Sequence, residues 1–584
     1  MMSILRISNK KCALHQIKLL QPRLAISFNL QRKVHSSTGS KNKIFITTPI
    51  FYVNAAPHIG HVYSAVLADI ASRFNKLIGK RVKFSTGTDE HGQKDLFDSC
   101  NISYTDYVRT TDTEHKRCVE KFWNILVENG YIYKGTHSGW YSISDEAFYT
   151  DNQIKKIKDK KGEVIQIVSI ETGNVVEYIT EDNYKFKLSA FQKQLEELVS
   201  SDFIEPLVRR NEVIGMLKQG LQDISVSRPV SRISWGIPVP NDNSQTIYVW
   251  IDALINYLTV DGYISGSNHS NTKSLYTSNS DNSPGNLSNS KILDSLPKLT
   301  PTMNFFPPDY QILGKDIIRF HAIFWPAFLM AANLPVPKKI ISHAHWTMEN
   351  FKMSKSRGNV ADPVAAIEKY GSDGLRYFLA RTGSLSSDSD YSEKNVAMRY
   401  NKELADHLGN LLSRCLSSKL NVDLMKLSEI SHSYKFKNAL NVEAHLESKD
   451  ENGDMELIRR ISEFPDIARP SYQQFDFKAV LEKSMELLSA ANKHFSDNVP
   501  WELVKNGQID RLHSVIYLSL EAIRVVSIVI SPVIPSKSEA ILDYLLVPKN
   551  QRIWESSEFG YAFREIKDSD KLSQDIAPLF TKIK

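Results

Sequence analysis

The chain has 584 residues, of which 42% are hydrophobic and 24% charged, as in a large globular protein of about three or four domains. Its net charge of +6 is unevenly distributed, because residues 1–43 contain nine Lys or Arg and no Asp or Glu. The other residues have a net charge of −3, which excludes a uniformly basic surface, so that affinity for a polyanion must come from local patches.

Residues 1–43 are predicted to be a mitochondrial presequence. Basic residues such as Arg6, Lys10 and Lys18 are set among apolar ones, acidic residues are absent, and Pro22 ends the helical pattern. An unstructured basic tail is the alternative interpretation. The presequence interpretation predicts a mitochondrial protein.

Cysteine spacing and hydropathy argue against a disulfide framework, a zinc knuckle and a membrane-spanning helix. The four cysteines contain no Cys-x-x-Cys pair, which argues against a disulfide framework and a zinc knuckle; they are Cys12, Cys100, Cys118 and Cys415. The most apolar stretch, residues 512–535, is interrupted by Glu521 and Arg524. We therefore expect no membrane insertion.

Residues 44–137 alternate strand and helix patterns and are predicted to form the first half of a nucleotide-binding α/β domain. An apolar, strand-like run ends before His58-Ile59-Gly60-His61, which opens a helical pattern carried by Val62, Val66, Ile70 and Phe74. A helix N-terminus offers unpaired N–H groups and a positive dipole, which favour phosphate. We expect Gly60 and the two imidazoles to let a phosphate approach closely.

Residues 138–225 are predicted to be an inserted α+β module. It contains a basic turn at residues 155–162, which we interpret as a solvated hairpin end rather than a contact to RNA. The nucleotide-binding pattern then resumes over residues 226–375, interrupted at 264–303 by a predicted disordered insertion rich in Ser and Asn. Residues 376–584 have a helical pattern.

A second motif, Lys352-Met353-Ser354-Lys355-Ser356, lies on a small, polar stretch that Gly358 allows to bend. Two ammonium groups on a mobile loop suit a pyrophosphate leaving group. Either this motif or the histidine motif alone occurs readily by chance. Both together, in this order, resemble the two signatures of class I aminoacyl-tRNA synthetases, and the second corresponds to the KMSKS loop at residues 352–356.

Four stretches narrow the resemblance to the methionyl-tRNA synthetase family, in its bacterial and organellar form. They are residues 44–61, 87–92, 248–257 and 314–325, and the likeness extends over about residues 44–540. The resemblance implies a Rossmann-like catalytic domain split by a connective domain and followed by an all-α anticodon-binding helix bundle. Many relatives have a zinc knuckle in the connective domain, but Ser142 and Asp145 stand at two of its thiolate positions here. We therefore expect no zinc or other protein-bound metal.

The resemblance implies a site for ATP, with Mg²⁺, and a site for methionine. Residues implied to bind ATP are His58, Gly60, His61, Gly314, Asp316, Lys352, Ser354 and Lys355, and four of these, His58, His61, Lys352 and Lys355, are implied to act in catalysis. Residues implied to bind methionine are Ile50, Tyr52, Asp89, Trp250, Ala253, Tyr257, Ile317, Phe320, His321 and Trp325. Asp89 would hold the α-ammonium group, and the aromatic side chains would surround a thioether that is only a weak hydrogen-bond acceptor. We also expect His321 and Tyr257 to place polar hydrogens near the sulfur.

The helical C-terminal block is implied to bind the anticodon of tRNA(Met) through Asn410, Arg414, Pro500 and Trp501. Asn410 and Arg414 are four residues apart and share a helix face. Exposed aromatic rings stack on splayed RNA bases, whereas a Trp buried in the bundle would have no such role. The expected protein is a monomer of the mitochondrial matrix that charges tRNA(Met) with L-methionine.

Two alternatives remain open at this stage. The chain could be a class I synthetase for another amino acid, although the cysteines of a cysteine-specific pocket are absent. About 290 residues between the two signatures also leave little room for the editing domain that aliphatic amino acids require. The second alternative is an RNA-binding splicing protein that has this fold without catalysis.

Overall fold

The computed structural model describes residues 42–52, 58–89, 94–144, 147–149, 151–170, 172–233, 235–263, 304–353, 359–438, 452–567 and 569–583. The predicted presequence, apart from its last two residues, lies outside these ranges, as do the insertion at 264–303 and residues 354–356 of the KMSKS loop. Residues Asn42–Lys584 form one compact unit.

The central sheet has six parallel strands in the order β3-β2-β1-β14-β15-β9. They are β1 Lys43–Tyr52, β2 Arg81–Asp89, β3 Asp106–Arg109, β9 Ile204–Glu205, β14 Tyr310–Gly314 and β15 Lys339–His343. The first helices are α1 Ile59–Leu77, α2 Lys94–Ser99 and α3 Thr113–Glu128. In an open parallel sheet of this kind, ligands bind beyond the carboxyl ends of the strands.

Helix α1 covers one face of this sheet with the predicted apolar side. Val62, Val66 and Ile70 are fully buried and Phe74 is nearly so, all within one core that includes Ile46 of β1. The helix therefore forms because apolar residues recur every four positions and the sheet supplies the surface that buries them. This confirms the α/β fold and places the histidine motif at the carboxyl edge of the sheet.

The inserted module is built on a second sheet, in the order β10-β8-β4-β5. Its elements are β4 Ile132–Ser142, β5 Ala147–Tyr149, β6 Ile154–Lys158, β7 Val164–Ser169, β8 Glu177–Phe186, β10 Ile224–Ser225, α4 Gln192–Ser200 and α5 Leu207–Leu217. Strands β6 and β7 form an exposed hairpin that carries the basic turn at its tip. Although residues 138–225 were predicted as the insertion, β9 lies within this range and pairs with β15 of the central sheet.

The second catalytic half adds two small sheets and three helices. Its elements are β11 Ser227–Pro229, β12 Pro238–Val239, β13 Asp242–Ile247, α6 Val249–Thr259, α7 Trp325–Ala331, β16 Trp346–Met348, β17 Phe351–Lys352, α8 Pro363–Thr382 and β18 Ser389–Tyr391. A 3-10 turn at Lys315–Ile317 follows β14, and a π-helical segment at Phe320–Phe324 leads into α7. Helix α8 crosses the predicted domain boundary at residue 375.

The C-terminal part is a helix bundle, as predicted. Its helices are α9 Glu393–Arg399, a π-helical segment Tyr400–Gly409, α10 Asn410–Cys415, α11 Leu424–Asn438, α12 Asp454–Gln473, α13 Phe477–Asp497, α14 Pro500–Lys505, α15 Ile509–Val529 and α16 Pro535–Tyr544. Among the described helices, α15 is long and apolar enough to cross a membrane, but 94% of its most apolar window is buried inside the protein. Its burial is that of a core helix.

The two charges that interrupt the apolar stretch of α15 pair with each other. Arg524 donates to both carboxylate oxygens of Glu521, at 2.7 and 2.8 Å, and both side chains are fully buried. Glu521 also accepts backbone N–H groups from residues 560–562, while Arg524 donates to the carbonyls of Ser556 and Glu558. This pair holds the C-terminal segment against the bundle.

A second buried ion pair joins α1 to the bundle. The Arg376 guanidinium on α8 lies 2.7 Å from the Asp69 carboxylate on α1, and both side chains are no more than 1% exposed. The same guanidinium donates to the Pro532 and Val533 carbonyls between α15 and α16, at 2.7 and 2.9 Å. Arg73 also pairs with Asp69 at 2.7 Å. Arg376 thus holds three elements from distant parts of the chain.

Replacing Arg376→Met should lower the free energy of unfolding by about 3 to 5 kcal/mol, because Asp69 would keep a buried negative charge with one partner fewer. Urea denaturation monitored by intrinsic fluorescence measures the change. The matched control is Arg459→Met, which removes an Arg that is 50% exposed and pairs with Glu456 and Glu463, and should change stability by less than about 1 kcal/mol. Equal losses in the two variants would contradict a special role for Arg376.

Candidate active site

The two histidines of the first motif stack at the start of α1. Their ring centroids are 3.9 Å apart and the rings are nearly parallel, with an interplanar angle of 21°. Each Nδ1 accepts a backbone N–H: that of Gly60 donates to His58 at 3.1 Å, and that of His58 donates to His61 at 3.3 Å. In a neutral imidazole the other nitrogen then carries the hydrogen, so both Nε2 atoms are donors.

The charge state of the histidine pair follows from the same geometry. Desolvation and the adjacent His58 ring lower the pKa of His61 to about 3, although Asp316 acts in the opposite direction. His61 is therefore neutral at pH 7 and offers a hydrogen-bond donor without a positive charge. A neutral N–H donor can stabilise negative charge that develops on a phosphate in the transition state, and it binds the ground-state phosphate less tightly than a cation would.

The backbone N–H of Gly60 donates to His58, so that this N–H is engaged within the helix start. A Cβ at position 60 would lie 2.9 Å from Cε1 and 3.0 Å from Nδ1 of His58. The binding of phosphate at Gly60 stays a prediction. The absence of a side chain at Gly60 allows the His58 ring to fold over the helix end.

The second nucleotide element lies at the end of β14. Gly314 is the last residue of this strand, and a Cβ there would lie 2.5 Å from Oδ1 of Asp316. The absence of a side chain at Gly314, which is implied to bind ATP, therefore makes room for the Asp316 carboxylate. That carboxylate is 56% exposed and lies 3.4 Å from Nε2 of His345. Crowding by protein atoms acts to raise the pKa of Asp316, but His345 and other groups lower it to about 2.

Sequence reasoning missed two histidines at the carboxyl end of β15. His343 is buried, its Nδ1 donates to the Ala344 carbonyl at 2.8 Å, and its Nε2 accepts the Ser64 hydroxyl of α1 at 2.6 Å. Burial lowers the pKa of His343 to about 4, so the ring is neutral. His343 thus ties α1 to β15, and His345 contacts Asp316. The spacing of two histidines at a strand end was the signal that could have identified them.

In the second half of the catalytic domain, the residues predicted to bind methionine lie on α6, in the 3-10 turn, in the π-helical segment and at the start of α7. Trp250 of α6 stacks on Phe320, with ring centroids 3.6 Å apart and an interplanar angle of 8°. Trp325 is fully buried and its ring lies 5.8 Å from that of Tyr257. Ala253 on α6 and Ile317 in the 3-10 turn are half-buried. The structure therefore brings these aromatic residues together in one apolar wall.

Tyr257 and His321 form a buried hydrogen bond within this wall. His321 Nδ1 faces the Ile317 carbonyl at 3.0 Å and must carry the ring hydrogen, so Nε2 accepts the Tyr257 hydroxyl at 2.8 Å. Burial lowers the pKa of His321 to about 4 and raises that of Tyr257. Both polar hydrogens are thus engaged inside the protein in this structure, and the expectation that they lie near the methionine sulfur stays a prediction. The wall is neutral and nearly apolar.

Asp89 and Ile50 lie at the adjacent strand ends. Asp89 closes β2, is 6% exposed, and accepts the Thr110 hydroxyl at 2.8 Å. Ile50 pairs with Gly87 in the ladder between β1 and β2, and Tyr52 pairs with Asp89. This places a carboxylate beside the end of β1, and its role in holding an α-ammonium group stays a prediction. The side chain of Tyr52 lies outside the described part of the structure.

A buried contact that the sequence did not reveal supports α6. Nε2 of His115 on α3 lies 2.7 Å from the Asp252 carboxylate, and Nδ1 lies 3.0 Å from the Thr259 hydroxyl. His115 is fully buried. Since Asp252 and Thr259 both belong to α6, His115 fixes the rotation of the helix that carries Trp250 and Tyr257.

The KMSKS loop is described only in part. The backbone of Lys352 pairs with Thr347 between β17 and β16, but its side chain, and all of Ser354 and Lys355, lie outside the described residues. Lys352 is the last residue of β17, and β16 begins after only two residues beyond the end of β15. The roles of the three loop residues stay predictions.

The predicted anticodon residues lie on α10 and α14, on either side of α13 in the chain, and Arg414 contacts the end of α13. The Arg414 guanidinium lies 4.3 Å from the ring centroid of Phe495 and donates to the Ser496 hydroxyl at 3.3 Å. Pro500 is the first residue of α14, and the following Trp501 is 47% exposed. The alternative of a tryptophan buried in the bundle is therefore wrong. Asn410 is exposed one turn before Arg414.

Comparisons with known proteins agree with this geometry. The family model described as "tRNA synthetases class I (M)" matches residues 44–94, 93–287 and 306–416. A probable mitochondrial methionine--tRNA ligase of Dictyostelium discoideum is 40% identical, with 95% of this chain and 96% of that protein covered. The mitochondrial methionine--tRNA ligase of Xenopus laevis is also 40% identical, over 89% of this chain and 88% of that protein.

Solved structures give the same result. Methionyl-tRNA synthetase of Mycobacterium tuberculosis in complex with methionyl-adenylate has a TM-score of 0.73 and 31% identity, covering 92% of this chain and 99% of that one. Its free form has a TM-score of 0.69 and 30% identity, over 93% and 98% of the two chains. Together with the sheet order and the two motifs, these similarities show that the chain belongs to the methionyl-tRNA synthetase family of class I aminoacyl-tRNA synthetases.

Proposed function

We propose that this protein attaches L-methionine to tRNA(Met) through a methionyl-adenylate intermediate, consuming ATP and releasing AMP and diphosphate. The observation that carries the proposal is the meeting of three groups at the carboxyl edge of one sheet. These are the neutral pair His58 and His61, the Asp316 carboxylate, and the Asp89 carboxylate at the end of β2. The first two suit a nucleotide triphosphate and its ribose, and the third suits the α-ammonium group of an amino acid.

In the first step, the methionine carboxylate attacks the α-phosphorus of ATP and diphosphate leaves. No protein nucleophile is needed, so catalysis consists of positioning the reactants and stabilising charge. The Nε2–H groups of His58 and His61 would donate to the triphosphate, and Lys352 and Lys355 would neutralise the leaving diphosphate. The absence of a side chain at Gly60 leaves room for the His58 ring. Ser354 would support the KMSKS loop.

Magnesium enters this reaction as the complex of Mg²⁺ with ATP. The described residues include no group of three or more His, Cys, Asp or Glu side chains placed to hold a metal ion. Mg²⁺ prefers oxygen ligands and retains several waters, so the phosphates and water would hold it. The side chains named above therefore act on the nucleotide rather than on a metal of their own.

The aromatic wall explains a preference for a thioether. A neutral His321 whose hydrogen bonds are internal, stacked Trp250 and Phe320, and buried Trp325 present polarisable surface without a free charge. A soft, unbranched thioether makes favourable contacts with such rings. A polar or charged side chain would lose its water there without gaining a partner. Asp89 would hold the α-ammonium group common to all amino acids.

In the second step, a terminal ribose hydroxyl of the tRNA attacks the adenylate. We propose that four residues of the C-terminal bundle recognise the anticodon of tRNA(Met): Asn410, Arg414, Pro500 and Trp501. An exposed indole after a rigid Pro can stack on unpaired bases, and a guanidinium held on Phe495 can donate to their edges. We further propose that the protein acts as a monomer in the mitochondrial matrix. Mitochondrial relatives and the basic, acid-free first 43 residues support this location.

Methionine-dependent exchange of diphosphate into ATP tests the enzymatic function. The wild-type protein should catalyse it, whereas Lys355→Ala should lose about 10² to 10³ in rate with little change in the KM for methionine, because one preorganised charge on the leaving group is removed. Lys338→Ala, which removes an exposed Lys paired with Asp309, is the control. A wild-type protein without exchange activity would favour the RNA-binding alternative.

Replacing Gly60→Ala should lower the exchange rate by about 10², because a Cβ within 3 Å of the His58 ring displaces a donor worth about 3 kcal/mol. The control is Gly215→Ala, since a Cβ at this position on α5 has no atom within 4 Å. Steady-state exchange at saturating methionine measures both. An unchanged rate for Gly60→Ala would show that the His58 ring takes no part in the reaction.

Replacing Trp501→Ala should weaken tRNA charging by about five- to a hundredfold and leave diphosphate exchange intact, because stacking of one base contributes about 1 to 3 kcal/mol. Trp501→Phe keeps an aromatic face and should retain most of the charging rate. Both activities are measured on the same preparations. Equal losses of charging and exchange in Trp501→Ala would indicate a structural role instead.

A further inference from the structure

The Asp388 side chain connects two segments of the chain beside Asp316. Asp388, shortly before β18, accepts two hydrogen bonds on the same oxygen. The Lys315 ammonium donates at 2.6 Å and the His345 backbone N–H donates at 2.9 Å. Lys315 directly precedes Asp316, and the His345 side chain contacts its carboxylate. Asp388 therefore ties together the two segments that meet at Asp316.

The backbone of His345 is held on both sides. Besides its N–H bond to Asp388, its carbonyl accepts the Ser389 N–H at 3.0 Å, and the next residue, Trp346, pairs with Ser389 in the parallel ladder. The imidazole is thus carried on a backbone of fixed position. Its Nε2 lies 3.4 Å from Oδ1 of Asp316, and since a carboxylate only accepts, the histidine must be the donor.

This arrangement contributes little to folding. The side chains of His345 and Asp316 are 28% and 56% exposed, and partly exposed ion pairs have small effects on stability. Nevertheless β14 ends in Gly314, where any side chain would collide with the Asp316 carboxylate. A carboxylate that is held in one orientation, exposed to solvent and given room by a glycine suits the recognition of a ligand.

We propose that His345 is a positioning residue for the ribose of ATP, and that Asp388 fixes the backbone of His345 through its hydrogen bond. This inference rests on the proposed role of Asp316 as acceptor of the ribose hydroxyls. His345 occupies one lone pair of Oδ1 and holds the carboxylate in place, so that the remaining lone pairs meet the 2′- and 3′-hydroxyls. The pair of residues then determines how strongly the enzyme prefers ATP to 2′-deoxyATP.

The test compares ATP with 2′-deoxyATP in methionine-dependent diphosphate exchange. His345→Ala should raise the KM for ATP about tenfold and lower the preference for ATP over 2′-deoxyATP by a similar factor, since a hydrogen bond to a charged group is lost. The KM for methionine and kcat should stay unchanged. His345→Gln, whose Nε2 can reach the same place, should restore most of the preference. Asp388→Ala should give a smaller loss of the same kind, and Asp388→Asn should retain more than Asp388→Ala because it keeps the acceptor oxygen.

Comparing Asp316→Asn with His345→Ala distinguishes the role of His345 from the proposed role of Asp316. If Asp316→Asn lowers the preference for ATP but His345→Ala does not, the role of His345 is wrong and that of Asp316 stands. If Asp316→Asn leaves the preference unchanged while the wild-type protein still catalyses exchange, the assigned role of Asp316 is wrong, and this inference fails with it. A parallel loss of kcat and of affinity for both substrates in His345→Ala, not restored by Gln, would reveal a merely structural role.

Discussion

The structure depends on the buried ion pair between Asp69 and Arg376. Asp69 lies in the middle of α1, the helix whose first residues carry the two histidines, and Arg376 reaches it from α8 while also donating to the turn between α15 and α16. A charge inside a protein is tolerated only when its partners are in place. All the hydrogen bonds of Arg376 therefore form only when the catalytic half and the turn between α15 and α16 pack together, and the pair with Asp69 links α1 to both.

The candidate active site is built from neutral histidines. His61, His321 and His343 have lowered pKa values because they are removed from water, and the Nδ1 of each is engaged by a group of the protein itself. In His321 and His343 the Nε2 also accepts a hydroxyl of the protein. These internal bonds select the tautomer and therefore which nitrogen can donate. The result is a site with directed donors near the phosphate position and little fixed charge near the amino-acid position. In the proposed reaction, the positive charge that neutralises the diphosphate comes from the lysines of the KMSKS motif.

Much of the fold was predictable because its signals are local. The period of four in α1, the apolar strand before it and the helical C-terminal block were all read correctly. The limits of the inserted module were less accessible, since β9 has only two residues and joins the central sheet through pairing with β15. In the site, the motif residues and the aromatic wall were identified in advance, but the braces around them, such as His115 and Asp388, carry no sequence pattern of their own.

The sequence by itself determined the order of the elements and the chemistry available to them, because periodicity, helix starts and motif spacing are properties of neighbouring residues. It also determined the family, since the two motifs and the stretches between them occur together. Only the tertiary structure decided which hydrogen-bond partner each histidine has, that Tyr257 and His321 satisfy each other, and that Trp501 is exposed. These depend on residues brought together from positions as far apart as Ser64 and His343, and no local pattern specifies such contacts.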